Sequence, residues 1–194
     1  MPHDPDNKII RFPVEGVRRF GFKRAKRKRR ARAEQEGQLS LFEPRPAGDV
    51  LRLPTGIGPF EEALLLDERG DPGAAAAYRK AVEQNDFVAD AYCNLGIMQS
   101  REGDAVEAFD SFTRSLAHEP RHFESHYNIA NLYFEQGDLR LARTHYEIAA
   151  AIEPGFPNVY FNLGLVHAMS EDFSAAIETL TRYKELAADD GVSW

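Results

Sequence analysis

Three asparagines recur at an interval of 34 residues, Asn94, Asn128 and Asn162, each in a stretch whose apolar spacing predicts a helix. Asparagine is a poor residue for a helix interior and gains nothing there from burial. Its amide both donates and accepts hydrogen bonds, which is the pattern that a peptide main chain needs. The three amides therefore predict a groove that binds an extended peptide.

Other positions of the same predicted helices are expected to face the same groove. Aromatic side chains there supply apolar contact area for a partner, although they are also candidates for the core. Carboxylates near the helix starts make the entrance acidic, so a neutral or basic peptide is the expected ligand. The predicted peptide-binding set comprises, with the three asparagines, Asn131, Tyr127, Phe134, Phe161, Asp90 and Glu124.

A second candidate site is a basic stretch near the N-terminus. Residues 18–32 hold ten basic side chains and no acidic one, a density that repels itself and does not fold alone. A nucleic-acid arm is one interpretation, because lysine and arginine neutralise phosphates. A solvated charge run is another, and folding back onto the acidic remainder of the same or a neighbouring chain is a third. The basic residues are Arg18, Arg19, Lys23, Arg24, Lys26, Arg27, Lys28, Arg29, Arg30 and Arg32.

A short motif follows the basic stretch. Residues 38–42 read Gln-Leu-Ser-Leu-Phe, with Pro44 and Pro46 after them. This resembles the peptide by which bacterial replication and repair proteins bind the DNA sliding clamp. The resemblance implies contacts with the clamp through Gln38, Leu39, Leu41 and Phe42. The alternative is that the apolar members pack against the edge of the following domain.

The charge and composition indicate a soluble globular chain with two unlike parts. Hydrophobic residues make up 43% and charged residues 28%. Residues 1–45 carry 13 basic and 6 acidic side chains (+7), whereas residues 46–194 carry 11 and 25 (−14), which together give the net −7. No apolar run approaches 18 residues, so no membrane span or membrane partner is expected. The single cysteine, Cys93, excludes intramolecular disulfides and indicates a cytoplasmic protein.

The sequence lacks a recognisable catalytic or metal-binding constellation. His118, His122 and His126 have the four-residue spacing of metal ligands, but Pro120 interrupts any helix that would align them. No obvious base accompanies Cys93, and no glycine-rich phosphate loop with its lysine is present. We therefore expect no enzyme, no metal and no cofactor.

A period of 34 residues runs through the chain from about residue 59. In one copy a small residue, a Gly-Asp pair, an alanine, an aromatic residue and a proline stand at Gly96, Gly103-Asp104, Ala108, Phe112 and Pro120. The small residue lets two helices approach, the Gly-Asp pair ends one helix and caps the next, and proline stops the second helix. Helices are thus predicted near residues 59–69, 72–85, 89–102, 104–117, 123–136, 138–151, 157–170 and 172–187.

This pattern resembles the tetratricopeptide repeat family. The resemblance implies an all-α, right-handed superhelical solenoid of about four helix-turn-helix repeats, whose concave face is built by the first helix of each pair. It covers about residues 59–188 and weakens at both ends. Asp86 and Ala188 replace proline there, and Glu171 replaces glycine.

The family resemblance also implies a function. It predicts a non-enzymatic adaptor or scaffold for protein-protein interaction, and in relatives such an asparagine ladder holds extended peptides. Asparagine is nevertheless common at this position in the family without any ligand role. Chaperone-binding members grip a C-terminal carboxylate with lysine and arginine, but the equivalent early positions here hold Asp90, Glu124 and Asn158, which disfavours a carboxylate clamp.

The predicted organisation has three parts. Residues 1–58 form a basic, largely disordered arm and linker, residues 59–188 form the repeat domain, and residues 189–194 form a tail. The repeats span about 59–86, 89–122, 123–156 and 157–188. The alternative function is a nucleic-acid-associated factor that uses residues 18–32 or 38–42 while the repeats recruit a partner.

Overall fold

The computed structural model describes residues 19–26 and 57–189, and within these ranges every regular element is an α-helix. Each helix packs against the next along the chain, so that four antiparallel pairs stack into a solenoid. The helices are α1 (Pro59–Glu68), α2 (Ala74–Glu83), α3 (Val88–Arg101), α4 (Ala105–His118), α5 (Phe123–Glu135), α6 (Leu139–Ile152), α7 (Pro157–Met169) and α8 (Phe173–Asp189).

The turns inside the second and third pairs follow from their Gly-Asp pairs. Gly103 and Gly137 have φ angles of 88° and 78°, a left-handed conformation in which a side chain is strained. The carboxylates that follow them begin α4 and α6: Asp104 accepts from the Glu107 N–H at 3.1 Å, and Asp138 accepts from the Leu141 N–H at 2.9 Å. Each cap satisfies a backbone donor that the helix itself leaves free.

The last pair reaches the same turn with another residue, whereas the first pair keeps a Gly-Asp sequence at Gly70-Asp71, where Gly70 has a φ of 68°. Glu171 adopts a φ of 60° where the inner repeats have glycine, and Asp172 still accepts from the Ala175 N–H at 3.2 Å. Asp86, which stands in place of the first repeat's proline, accepts from the Phe60 N–H at 2.9 Å. At the end of the array the residue therefore changes while the turn and its cap are kept, and Asp86 adds a contact to the start of α1.

Small residues on the first helices allow the partner helices to approach. A Cβ added to Gly96 would lie 2.7 Å from the Phe112 ring, and one added to Gly164 would lie 2.6 Å from Leu180. Ala108, Ala142 and Ala176 are fully buried on the second helices. The core between the pairs is filled mainly by Tyr78, Phe112, Phe123, Tyr127 and Tyr146.

We predict that Gly96→Ala destabilises the fold, because its methyl group must displace the buried ring of Phe112. Overpacking of this kind costs about 1–3 kcal/mol of the free energy of unfolding. Urea denaturation measures the change. The matched control is Gly155→Ala, since a Cβ there meets nothing within 4 Å, and equal stability of the two variants would contradict the packing argument.

Two histidines pair between α5 and α6. His126 Nε2 lies 3.1 Å from the Pro120 carbonyl, and its Nδ1 lies 3.1 Å from His145 Nδ1. Donation from Nε2 to the carbonyl leaves His126 Nδ1 as the acceptor for a proton on His145. Burial lowers the pKa of both imidazoles, and the neighbouring His126 lowers that of His145 further, to about 4.

We predict that acid destabilises the fold through this pair. A histidine whose pKa falls from 6.5 in the unfolded chain to about 4 in the fold contributes stability above pH 6.5 that is lost as the pH falls towards 4. Melting temperatures between pH 7 and 4.5 test this. His145→Gln, which keeps an N–H donor but does not titrate, should flatten the decline, whereas the exposed His118→Gln should not.

Candidate functional site: the concave groove

An extended piece of the chain, residues 19–26, lies across the first helices of the second, third and fourth pairs. The side-chain amide of Asn162 on α7 accepts from the Phe20 N–H at 2.7 Å and donates to the Phe20 carbonyl at 3.1 Å. Asn128 on α5 makes the same two bonds to Lys23, at 2.7 and 2.8 Å. Asn94 on α3 repeats them with Ala25, at 2.8 and 2.9 Å. Residues 19–26 thus run antiparallel to the order of the repeats.

Each of these amides is itself held by a hydroxyl or thiol beneath it. Asn94 Nδ2 also lies 3.1 Å from the Tyr78 hydroxyl, which donates onward to Asp67 at 3.2 Å. Asn162 Nδ2 lies 3.0 Å from the Tyr127 hydroxyl, and Asn128 Nδ2 lies 3.4 Å from Cys93 Sγ. Because the three amides are at most 1% exposed, their oxygens and nitrogens have fixed directions.

The tyrosines around the amides stay protonated. Burial, followed by the Asp67 charge, raises the pKa of Tyr78, and burial raises the pKa of Tyr127 and Tyr146. Tyr146 donates to Asn131 Oδ1 at 2.5 Å, and Asn131 Oδ1 lies 3.2 Å from Asn162 Nδ2. Asn131, which the sequence placed in the peptide-binding set, therefore lies beneath Asn162, and its buried Nδ2 has no hydrogen-bond partner among the described residues.

The N-terminal end of the bound segment lies among aromatic rings of the fourth pair. The Phe20 ring meets Phe161 edge-on at 5.1 Å and Tyr183 at 6.1 Å between centroids. Arg19 forms an ion pair with Glu135, and its guanidinium lies 6.0 Å from the Phe134 ring centroid. The aromatic residues predicted at 134 and 161 thus contact residues 19–20, and Tyr127 lies near them with its hydroxyl 3.4 Å from the Phe20 carbonyl.

The middle of the segment rests on the core of the second and third pairs. Phe22 stacks on Phe112 with 6.3 Å between ring centroids. Ala25 is fully buried in a cluster with Cys93, Ile97 and Ile129. Residues 19–26 therefore contribute to the hydrophobic core as well as to the hydrogen-bonded ladder.

The ammonium group of Lys23 lies between two aromatic rings and two carboxylates. Its Nζ is 4.3 Å from the Phe123 ring centroid and 3.8 Å from that of Phe156. The same atom is 4.0 Å from Glu124 and 3.8 Å from Glu153. Cation-π attraction and two ion pairs therefore act on one ammonium group.

The neighbouring Arg24 binds a different carboxylate. Its Nη2 donates to Asp67 Oδ1 at 2.9 Å, while Nε lies 2.8 Å from Oδ2, close enough for an ion pair but not aligned as a hydrogen bond. The Asp67 side chain is only 7% exposed and also accepts from Tyr78. Asp67 and Tyr78 thereby connect the Arg24 side chain to the amide that holds Ala25.

Asp90 and His122 form a polar group at the start of α3 and α5. His122 Nε2 lies 3.3 Å from Asp90 Oδ1, and its Nδ1 caps α5 by accepting from the Ser125 N–H at 3.2 Å. Burial alone lowers the pKa of His122, but the hydrogen bond to Asp90 and the Glu124 charge outweigh it and raise the pKa to about 10. In the cation, Nδ1 donates to Ser125 Oγ at 2.9 Å instead of accepting from the backbone. Asp90, which the sequence assigned to the peptide-binding set, thus contacts the His122 ring.

Part of the sequence-based site set lies outside the described residues. Arg18, residues 27–32 and the sliding-clamp-like residues 38–42 are not described, so nucleic-acid and clamp binding stay predictions. Of the basic residues that are described, Arg19, Lys23 and Arg24 face carboxylates of the groove, and Lys26 is exposed.

Several residues that contact residues 19–26 were not predicted from the sequence. Asp67 lies on the first helix of the degenerate first repeat, whereas Phe156 and Glu153 belong to a loop and Tyr183 belongs to a second helix, so these last three lie outside the first-helix positions that the period assigns to the groove. Phe123 begins α5. Its position next to the acidic Glu124 is the sequence signal that indicates it.

The described part of the chain contains no cluster of three or more histidine, cysteine, aspartate or glutamate residues arranged to hold a metal ion. Nor is any helix in residues 57–189 both long and apolar enough to cross a bilayer.

Three family models match consecutive parts of the solenoid. Two described as "Tetratricopeptide repeat" match residues 60–121 and 111–144, and one described as "TPR repeat" matches residues 130–170. The chain belongs to the tetratricopeptide repeat family. The all-α solenoid expected from the sequence is thereby confirmed, and it supports a protein-interaction scaffold at the level of the family.

A curated relative and several solved structures match the chain at low identity. The chain is 28% identical over 98 residues to a peroxisomal targeting signal receptor from Candida albicans, a match that covers 50% of this chain and 17% of the receptor. A crystal structure of MamA superposes with a TM-score of 0.61 at 22% identity over 70% of this chain and 80% of MamA. MamA 41-end from Desulfovibrio magneticus RS-1 gives 0.57 at 22% identity over 64% and 71%. At these identities the structures show the fold alone.

Proposed function

We propose that this protein is a non-enzymatic scaffold that binds an extended, neutral or basic segment of a partner protein in its concave groove. The observation that carries the proposal is the set of paired hydrogen bonds from Asn94, Asn128 and Asn162 to the main chain of residues 20, 23 and 25. A main chain is common to every peptide, so the same amides suit a segment of another protein.

The charges of the groove support a basic ligand. Glu135, Glu124, Glu153 and Asp67 each face a cation of residues 19–24. An acidic segment in the same register would bring like charges together at all four points, and such contacts are destabilising. The groove is therefore suited to a segment that carries positive charge.

Residues 19–26 act in this proposal as a resident ligand that a partner must displace. Thirty residues, 27–56, join the bound segment to the solenoid. A ligand tethered close to its site reaches an effective concentration of about a millimolar. With an intrinsic Kd of about 10 μM, the segment would then hold the groove about 99% of the time and weaken a competing peptide about 100-fold.

We predict that weakening the resident segment strengthens peptide binding from outside. The test uses the full chain carrying Phe20→Ala, Lys23→Glu and Arg24→Glu, which we call the opened variant. Fluorescence anisotropy with a labelled peptide of residues 17–28 should give an apparent Kd at least tenfold lower for the opened variant than for the unaltered chain. No binding by the opened variant would contradict the proposal.

Adding Asn128→Ala to the opened variant should then weaken the peptide by about 1–3 kcal/mol, or roughly 5–150-fold, because two hydrogen bonds are lost. Gln136→Ala is the matched control, since it removes an exposed amide at the end of the same helix. Equal affinity of the two variants would mean that the amides do not hold the peptide. Circular dichroism and melting curves establish that both variants are folded.

A further inference from the structure

Two consecutive cations of residues 19–26 enter chemically different sites. Lys23 meets two ring faces and two carboxylates, whereas Arg24 meets the single buried carboxylate of Asp67. From this difference we propose that the groove selects peptide segments in which a lysine is followed by an arginine and then by a small residue. This inference rests on the proposed function and names the class of segment that the groove selects.

The first site, which we call the ammonium box, consists of Phe123, Phe156, Glu124 and Glu153. Nζ of Lys23 lies within 4.3 Å of both ring centroids and within 4.0 Å of both carboxylates. A lysine ammonium is a compact charge that makes such contacts on several sides at once. A guanidinium is planar and carries its charge farther along the side chain, so we expect it to meet the two rings and both carboxylates less closely than the ammonium group does.

The second site favours a guanidinium. Asp67 presents both oxygens to the Arg24 fork, with Nη2 at 2.9 Å from Oδ1 and Nε at 2.8 Å from Oδ2. The Tyr78 hydroxyl donates to Oδ2 and fixes the carboxylate. Lysine offers a single nitrogen and no fork, so it matches the two oxygens less well than Arg24 does, even with Arg101 Nη1 3.8 Å from Oδ1.

The asparagine ladder prevents the two cations from exchanging sites. Asn128 holds the main chain of Lys23, and Asn94 holds that of Ala25, so Arg24 is fixed between them. A shift of the segment by one residue would bring Arg24 to the ammonium box and Lys26 to the buried place of Ala25. Ala25 has no exposed surface among Cys93, Ile97 and Ile129, and a long charged side chain does not fit there.

The test compares peptides of identical composition on the opened variant. One is the unaltered peptide of residues 17–28, and the second exchanges the dipeptide through Lys23→Arg and Arg24→Lys. The third makes the same exchange at positions 26 and 27, where Lys26 is exposed in the bound segment. We expect the second peptide to bind at least tenfold more weakly than the first and the third to bind within about twofold of it.

A change in the groove should alter the preference itself. In the opened variant, Phe156→Leu removes one ring of the ammonium box. The affinity of the unaltered peptide divided by that of a peptide carrying Lys23→Arg should therefore fall towards one. Asp67→Asn should do the same for arginine over lysine at position 24. A merely structural role of either residue would weaken all peptides alike and leave these ratios unchanged, which would overturn the inference.

The outcomes separate this inference from the proposed function. If the unaltered and exchanged peptides bind equally well and Asn128→Ala lowers the affinity for both, the preference for the order Lys-Arg is wrong. The proposal that the groove binds a peptide would then still hold. Failure of every peptide to bind the opened variant would overturn both.

Discussion

The structure depends on the pairing of a side-chain amide with both hydrogen-bonding groups of one main-chain residue. An asparagine amide donates and accepts in nearly the same plane, as a neighbouring strand does, so it can replace a strand partner for a single residue. Three such amides stand at one position of three successive first helices, and they meet residues 20, 23 and 25 of the extended segment. The solenoid thus provides the polar partners that an extended segment would otherwise find in a sheet or in water.

Main-chain pairing alone would suit any sequence, so in the proposed function selection among segments would come from side-chain contacts. The carboxylates around the segment come from different places: Asp67 from α1, Glu124 and Glu135 from the two ends of α5, and Glu153 from the loop after α6. Asp67 and Glu124 are largely buried beside their cations, where charges attract each other more strongly than on an open surface, whereas Glu135 is exposed. The division of charge between the basic residues 1–45 and the acidic residues 46–194 therefore has a local counterpart in these contacts.

The repeat period predicted the features that depend on local sequence, above all the ends of the helices. Each predicted helix bound lies within two residues of the observed one, as with 72–85 against Ala74–Glu83, because Gly-Asp turns and prolines fix the ends. The period also assigned Asn94, Asn128 and Asn162 to one surface. It could not identify the ammonium box, since Phe156 and Glu153 lie in a loop and approach Phe123 and Glu124 only when neighbouring repeats stack. Nor could it place residues 19–26, because their position depends on contacts across more than forty residues of sequence.

The hydrophobic core and the groove are coupled through Phe112. Its ring lies against Gly96 on one side, where no Cβ separates the two helices, and it stacks on Phe22 of the extended segment on another. Ala25 joins the same cluster, so removing the segment exposes apolar surface around Cys93 and Ile97 as well as three polar amides. Water can satisfy the amides of an emptied groove, but it cannot replace the apolar contacts. In the proposed exchange, a competing segment would therefore have to cover that apolar surface in addition to supplying a main chain and positive charge, and a small residue at the position of Ala25 would fit there.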